Sequence, residues 1–272
     1  MTNPLQKFFR QPKVYVKLPS KGVFYEPGAL HGDWSNVPIF AMTGMDEIIM
    51  KTPDALFTGD ATAKVIESCC PYIKNAKVMP SIDIDAVLIA IRIATYGSNM
   101  GISQACPKCG SENDYDIDLS KMLDYFNGLQ FVNTVKISEE ISIRVRPLQY
   151  DEMSYFSIEN FKLQKMLMQV SDLADDEKQK QIDQIYNSLS ELQLQLFLTS
   201  IESVQVEGAS VTEKPHIEEW LRNSERDAYK HIKAKLEENK DLWNIPAQDV
   251  KCGNCGSENQ VIITLDQSNF FA

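Results

Sequence analysis

Hydrophobic and polar residues alternate in the first part of the chain and then take up a helical spacing. The stretch VYVKLPSKGVFYEPG alternates and is then interrupted by prolines and glycines, a pattern typical of strands and turns. It predicts an extended N-terminal arm over residues 1–40. From Met45 to Ile73 the spacing is helical, with Thr52-Pro53-Asp54 predicted as a helix start and Gly59 as a break.

A further helix is predicted after Ser81, because five apolar residues fall on one helical face: Ile84, Val87, Leu88, Ile91 and Ala94. A strand that uses alternate residues from Ile82 to Leu88 competes with this helix. An apolar pattern sustained over about 14 residues favours the helix. Residues 41–105 are accordingly predicted to be a helical region.

The middle of the chain mixes helices with hairpins. The spacing predicts helices over 119–128, 150–170, 175–203 and 214–243, and β-hairpins over 134–147 and 204–212. The helix over 175–203 carries an apolar seam at steps of three and four: Ile182, Ile185, Leu189, Leu192 and Leu196. We expect this seam to pack against the protein's own core, and a seam that faces a partner is the alternative. The predicted fold class is α+β, mostly helical with short β-hairpins.

Composition and charge narrow the classes of function. With 272 residues, of which 43% are hydrophobic, the chain can bury one core with a satellite, or two modest domains. Neither a membrane span nor a signal peptide is predicted, so we expect a cytoplasmic protein. The formal net charge is −11 and no block of five basic residues occurs, which argues against nucleic acid and favours protein partners.

One eight-residue phrase occurs twice, as CPKCGSEN at residues 106–113 and as CGNCGSEN at residues 252–259. A CxxC pair followed by glycine is the geometry of a zinc knuckle, which supplies two thiolates. Structural zinc requires four ligands in a tetrahedron, so each copy is predicted to form half of one Cys₄ zinc ribbon. The predicted ligands of this single structural Zn²⁺ are Cys106, Cys109, Cys252 and Cys255.

The strand-like segments DYDIDL and QVIITL follow the two knuckles, as expected for the hairpins of a ribbon. We therefore predict that residues 106–118 and 246–272 are the two halves of the ribbon and that residues 119–245 are a helical insertion with hairpins. A redox dithiol and a metal-free site are the alternatives. The repeated Gly-Ser-Glu-Asn continuation favours zinc.

Nothing in the sequence predicts catalysis. The three histidines form no metal-binding motif, and the chain has neither a phosphate-binding loop nor a nucleophile elbow. A zinc ion held by four thiolates leaves no position for a substrate. The adjacent Cys69 and Cys70 are predicted to be buried core thiols. Alternation predicts that a set of aspartates lies on solvent faces: Asp83, Asp85, Asp114, Asp116 and Asp118.

Several motifs follow one another in a characteristic order: VKLPSKGVFY, MTGMDEIIMKTPDALFTGDATAKVIESC and AIRIATYG, and then the second CxxCG and SNFF near the end of the sequence. This order resembles that of the baseplate hub assembly proteins of T-even-type contractile-tailed bacteriophages. The resemblance spans both ends of the chain and both zinc halves, whereas residues 125–245 carry no motif that belongs to it.

This resemblance implies a role in building or forming the baseplate hub, in the cytoplasm of the infected bacterium or in the virion. It implies tail-hub and tape-measure proteins as partners, with oligomerisation of the chain left open. It also implies an assembly contact at Leu18, Pro19, Ser20, Lys21 and Gly22. Phe270 and Phe271 are expected either to pack on the core or to enter a partner's pocket. A zinc-ribbon transcription or nucleic-acid-binding factor is the alternative function, and a metal-dependent enzyme is a third class.

Overall fold

The computed structural model describes residues 3–51, 58–170, 175–263 and 270–271, and for residues 175–177 it describes the backbone alone. The predicted helix start at Thr52-Pro53-Asp54 lies outside these residues. The chain divides into two compact units. We call residues 1–130 with 243–272 the ribbon unit, and residues 131–242 the inserted unit.

The ribbon unit begins with a short 3₁₀ turn, a strand pair and three helices. Strand β1 pairs with β2 in antiparallel register, with Val16 opposite Val37. The elements are the 3₁₀ turn Pro4–Phe8, β1 (Pro12–Val16), β2 (Val37–Phe40), α1 (Gly44–Met50), α2 (Asp60–Cys69), a second 3₁₀ turn Ala76–Val78, and α3 (Ser81–Tyr96).

Helix α3 is the centre of the ribbon unit. Its sequence is apolar on nearly all faces, and ten of its residues are buried, as expected for a helix surrounded by other elements. It packs against β1, β2 and α2. Gly97 ends the helix with φ 96°, a value that glycine adopts without steric cost.

The rest of the ribbon unit consists of two antiparallel hairpins and one helix. Strand β3 (Asn99–Ala105) pairs with β4 (Glu112–Asp118), and α4 (Ser120–Gly128) follows and packs against α3. Near the end of the chain, β9 (Gln248–Lys251) pairs with β10 (Glu258–Val261).

The inserted unit has its own sheet and its own core. Four antiparallel strands lie in the order β5-β6-β7-β8, and the core combines residues of β6 and β7 with residues of three helices, including Phe197, Ile217 and Ile232. Its elements are β5 (Thr134–Lys136), β6 (Ser142–Val145), α5 (Tyr150–Gln169), α6 (Asp175–Ser200), β7 (Ile201–Val206), β8 (Ala209–Val211), α7 (Lys214–Asn223) and α8 (Arg226–Leu242).

The predicted α+β class is confirmed, while several elements differ from the prediction. The helical pattern over 45–73 contains two separate helices, and the helix predicted over 214–243 is interrupted at Ser224-Glu225. The helix from Asp175 ends at Ser200, where β7 begins. Strand β3 lies within the region predicted to be helical.

The first 40 residues are packed rather than extended as an arm. Val16, Leu18, Val37 and Ile39 are all buried, and β1 lies against α3. The insertion is also shorter than predicted, because α4 and Trp243 belong to the ribbon unit. Among the described helices, none is both long and apolar enough to span a membrane.

The predicted seam of α6 is only partly buried. Ile185 is buried, whereas the other four members are half-exposed. Helix α5 packs beside α6.

Candidate metal centre

Both copies of the repeated phrase form the tips of hairpins with the same backbone geometry. Ala105 pairs with Glu112 at the end of the first hairpin, and Lys251 pairs with Glu258 at the end of the second. In each tip the first cysteine donates its N–H to the serine carbonyl at 2.9 Å and accepts an N–H from the glycine. Gly110 and Gly256 have φ values of 70° and 68°, the left-handed conformation that the knuckle turn requires.

The four predicted ligands come together. Their sulfur atoms all lie within 4.8 Å of one another, and the pairs Cys106–Cys255 and Cys109–Cys252 are each separated by 3.8 Å. Zinc bonds sulfur at about 2.3 Å, which in a tetrahedron places the sulfurs about 3.8 Å apart. A disulfide requires about 2.05 Å. The thiols therefore have the spacing of a tetrahedral metal site, and they are not paired as disulfides.

Two of the ligands are buried and two are exposed. Cys106 and Cys252, the first cysteine of each knuckle, are 3% and 2% exposed, whereas Cys109 and Cys255 face the solvent. The arrangement repeats from one knuckle to the other, as the repeated sequence requires.

The serines of the repeated phrase bridge the two knuckles. The Ser111 hydroxyl lies 3.0 Å from the sulfur of Cys109 and 3.6 Å from that of Cys252. The Ser257 hydroxyl lies 3.1 Å from the sulfur of Cys255 and 3.4 Å from that of Cys106. Each serine thus contacts one thiol of its own knuckle and one of the other.

The asparagines of the phrase also join the two halves. The Asn113 side-chain oxygen accepts the Gly253 N–H at 2.9 Å, and the Asn259 amide donates to the sulfur of Cys106 at 3.5 Å. These contacts give a physical reason why the repeat extends beyond the cysteines to Gly-Ser-Glu-Asn. Sequence reasoning singled out the cysteines and missed these serines and asparagines, although the extent of the repeat was the signal for them.

Hydrogen bonds favour the thiolate form of the two buried cysteines. The Ser257 hydroxyl and then the backbone N–H of Cys109 lower the pKa of Cys106 to about 5. The backbone N–H of Cys255 and then the Ser111 hydroxyl lower the pKa of Cys252 to about 7. The thiolate is the form that binds metal, so both shifts suit a metal ligand.

The segment predicted to be an assembly contact is largely buried. Leu18, Pro19 and Ser20 are buried, Gly22 is half-buried, and Lys21 is exposed with φ 56°. A non-glycine residue in the left-handed region is uncommon and is energetically strained. Of these five residues, Lys21 presents the most accessible side chain.

Asp83 holds this segment, and the prediction that it faces solvent is wrong. Its carboxylate is completely buried and accepts hydrogen bonds from the Ser20 N–H at 2.7 Å, the Ser20 hydroxyl at 2.5 Å and the Tyr25 hydroxyl at 2.9 Å. The alternation of polar and apolar residues does not place Asp83 in solvent, because α3 is covered on several sides. A polar residue on this helix therefore contacts another segment of the chain rather than water. Burial raises the pKa of Asp83 to about 6, against the opposing effect of these hydrogen bonds.

The other aspartates of the predicted set differ in exposure: two are exposed and two are half-exposed. Asp85 is half-exposed by surface area, although burial of its carboxyl group raises its pKa to about 6. On β4, Asp114 and Asp116 are exposed as predicted, and Asp118 is half-exposed.

The remaining predicted residues are core residues in the structure. Phe270 and Phe271 are 1% and 6% exposed, which is the arrangement in which they pack on the core. The guanidinium of Arg92 lies 5.8 Å from the Phe270 ring centroid, and the Tyr96 hydroxyl donates to the Phe271 carbonyl. Cys69 and Cys70 are fully buried, which confirms that prediction.

Comparison with known proteins adds the decisive observation. A family model described as "T4 bacteriophage base plate protein" matches residues 38–272, a range that includes both knuckles. The chain belongs to this family. No curated protein and no solved structure matches it. Membership of the base plate family associates this protein with the phage tail and with the other proteins of the tail. It does not favour the alternative function of a zinc-ribbon transcription or nucleic-acid-binding factor.

Proposed function

We propose that this base plate protein is a non-enzymatic component or assembly factor of the baseplate hub and that one structural Zn²⁺ joins the two halves of its chain. The observation that carries the proposal is the convergence of four cysteines, from two distant copies of one phrase, within a chain of the base plate family. Tail-hub and tape-measure proteins are the proposed partners. Assembly in the host cytoplasm, followed by residence in the virion, is the proposed location.

A structural role for the metal follows from its ligands. Four thiolates fill a tetrahedral zinc site, so no coordination position remains for water or substrate. When bound, the ion would crosslink the two hairpin tips. In small zinc-binding peptides, binding of structural zinc contributes about 10–16 kcal/mol of free energy. That energy exceeds the entropic cost of closing the long loop between the tips, which grows slowly with length.

The zinc content of the purified protein tests this role. We expect about one Zn²⁺ per chain by elemental mass spectrometry, and loss of the ion in Cys252→Ser. Cys69→Ala is the matched control, since this cysteine is remote from the site in sequence and should leave the zinc content unchanged. A metal-free chain with the same circular dichroism and stability as the loaded one would contradict a structural role.

Quantitative mass spectrometry of mature phage particles tests the hub assignment. A fixed ratio of this chain to the known hub proteins would make it a structural part of the hub. Its absence from particles, combined with abundance in the infected-cell lysate, would make it a transient assembly factor. Presence at a ratio that follows proteins outside the hub would contradict both forms of the proposal.

A further inference from the structure

The N-terminal segment has a charge opposite to that of the rest of the molecule. Residues 1–25 contain five basic residues and no acidic one, in a chain whose net charge is −11, so the remainder carries −16. The basic residues are Lys7, Arg10, Lys13, Lys17 and Lys21.

Strand β1 and the residue after it present part of this charge on one face. Lys13, Tyr15 and Lys17 are exposed, whereas Val14 is half-buried and Val16 is buried on the opposite face towards α3. Tyr15 is 57% exposed, so an aromatic ring lies between two lysines on the surface. We call Lys13, Tyr15 and Lys17 the basic stripe.

Strand β4 presents the opposite charge with the same alternation of exposed and less exposed residues. Glu112, Asp114 and Asp116 are exposed, and the alternate residues between them are more buried. We call these three residues the acidic stripe. On β4, residues two apart are separated by about 6.6–6.8 Å, so the outer carboxylates of the acidic stripe lie about 13 Å apart. The register of β1 is irregular at Lys13, between Pro12 and Val14, and Lys17 lies one residue beyond the strand.

Neither stripe is neutralised by the part of its own chain that the structure describes. Among the described residues, none of the five charged members of the two stripes forms an ion pair. Asp114 accepts a hydrogen bond from the Ser103 hydroxyl at 2.5 Å, which leaves its charge in place. The two charge patterns are therefore available to another molecule.

We propose that the basic stripe of one chain docks against the acidic stripe of a second copy. The charges are opposite, and in both stripes exposed residues alternate with less exposed ones, so the two lysines can meet carboxylates of the acidic stripe with Tyr15 between them. The two surfaces are different parts of the chain, and each molecule therefore offers one free surface after the first contact. Such head-to-tail association produces a ring or an open chain of subunits rather than a closed two-fold dimer.

Electrostatics sets how this association responds to salt. Exposed ion pairs contribute little individually, and charge complementarity acts mainly on specificity and on the rate of encounter. Screening shortens the range of these interactions from about 10 Å at 0.1 M salt to about 3 Å at 1 M. Self-association that weakens strongly with salt is the expected behaviour.

Charge reversal on each stripe gives a sharp test by sedimentation velocity of the full-length protein. Lys13→Glu/Lys17→Glu makes both stripes acidic, and Glu112→Lys/Asp116→Lys makes both basic, so each variant alone should lose self-association by about tenfold or more. An equimolar mixture of the two variants restores opposite charges at the contact and should recover association. The second variant leaves Asp114 and its hydrogen bond intact.

Lys165→Glu/Lys180→Glu is the matched control for the lysine variant, because it makes the same change in net charge as Lys13→Glu/Lys17→Glu, at exposed lysines of the inserted unit. It should associate as the unmodified protein does. The proposal is overturned if the unmodified protein is monomeric at low salt and high concentration, if the control loses as much as the stripe variants, or if the mixture fails to recover. Binding of a single-stranded DNA oligonucleotide through Lys13 and Lys17 by a protein that stays monomeric would also overturn it, in favour of a nucleic-acid surface.

Discussion

At the scale of single residues, the serines of the repeated phrase contact the cysteines of the candidate metal site without being among its predicted ligands. Each hydroxyl lies within 3.6 Å of one sulfur in each knuckle. Hydrogen bonds to thiolates reduce the repulsion among four negative charges around one ion. Groups that orient or stabilise ligands in this way commonly change metal affinity by about 10–100-fold.

Replacing both serines should therefore weaken the site without emptying it. For Ser111→Ala/Ser257→Ala we expect one Zn²⁺ per chain to remain, but a chelator should extract it at about tenfold lower concentration. A competition titration with a chromogenic chelator measures this change. Ser103→Ala, which alters a serine bonded to Asp114 rather than to a thiol, is the control. Equal extraction from all three proteins would contradict a role for the hydroxyls.

The protonation of Asp83 is linked to the stability of the fold. Burial raises its pKa to about 6, whereas an unfolded aspartate titrates near 3.9. The folded state thus holds the proton more tightly than the unfolded state. The stability contributed by this proton is fully present below about pH 4 and is lost as the pH rises through about 6.

Comparison with Asp83→Asn isolates this effect, because the amide keeps the size of the side chain and does not titrate. Between pH 4 and pH 7 the unmodified protein should lose stability relative to the variant by up to about 3 kcal/mol, the equivalent of two pKa units. Urea denaturation at pH 4, 5, 6 and 7 measures the difference. Asp116→Asn, at an exposed site, should show no such trend, and parallel curves for the Asp83 variant would show that its proton is not linked to folding.

At the scale of elements, Lys214 connects the start of one helix to the end of another. Its ammonium group donates to the carbonyls of Leu198 and Ile201, near the end of α6 and the start of β7. Carbonyls at the end of a helix lack partners within the helix, and a cation there also interacts favourably with the helix dipole. Lys214 therefore stabilises the junction at which α6 enters the sheet.

Lys214→Met keeps the length and apolar stem of the side chain but removes both hydrogen bonds. We expect a loss of about 1–3 kcal/mol in the free energy of unfolding of the inserted unit. Thermal and urea unfolding followed by far-ultraviolet circular dichroism provide the measurement. Lys165→Met, at an exposed position on α5, is the control and should change stability by less than about 0.5 kcal/mol. A similar small change in both variants would exclude the proposed role of Lys214.

The elements also show where sequence patterns were informative. Hairpins over 134–147 and 204–212 were predictable because alternation and turn residues coincide there. Strand β3 was missed because NMGISQA contains a glycine and only one β-branched residue, so its strand conformation depends on pairing with β4 across the knuckle. The interruption between α7 and α8 at Ser224 was hidden because polar residues continue through it.

In the candidate site, too, features set by the local sequence were predictable, whereas features set by contacts with distant segments were not. The repeated cysteines predicted their own convergence, since zinc needs four ligands and each knuckle supplies two. Burial of Asp83 depends on a segment about 60 residues earlier in the chain, with which α3 packs. The basic stripe was overlooked because its lysines are separated in sequence, and they become neighbours only when alternate residues share one face of a strand.

At the scale of the whole molecule, the inserted unit is bounded by chain segments that lie side by side. The Asn239 amide near its end donates to the Val132 carbonyl near its start at 2.9 Å. Within the ribbon unit, the rings of Phe126 and Trp243 stack with centroids 6.3 Å apart, which brings together the two ends that flank the insertion. Each unit also has its own buried core.

The two units should therefore fold separately. A chain in which residues 131–242 are replaced by a short Gly-Ser linker should bind about one Zn²⁺, and the inserted unit expressed alone should be helical and unfold cooperatively. Elemental analysis and circular dichroism check these expectations. In the shortened chain, Cys252→Ser should abolish zinc binding, as in the full-length protein. A shortened chain that aggregates, together with an inserted unit that is unfolded, would show that the units depend on each other.

The long separation between the two knuckles also sets an order of events on the ribosome. Cys109 and Cys252 are 143 residues apart in the sequence, although their sulfurs lie 3.8 Å apart. At about 5–20 residues per second, translation needs about 7–30 s to pass from one to the other. The inserted unit, residues 131–242, is synthesised during this interval, before the second pair of cysteines exists. Under the proposed zinc role, four-thiolate coordination of the metal is a late step that only chains synthesised past the second knuckle can complete.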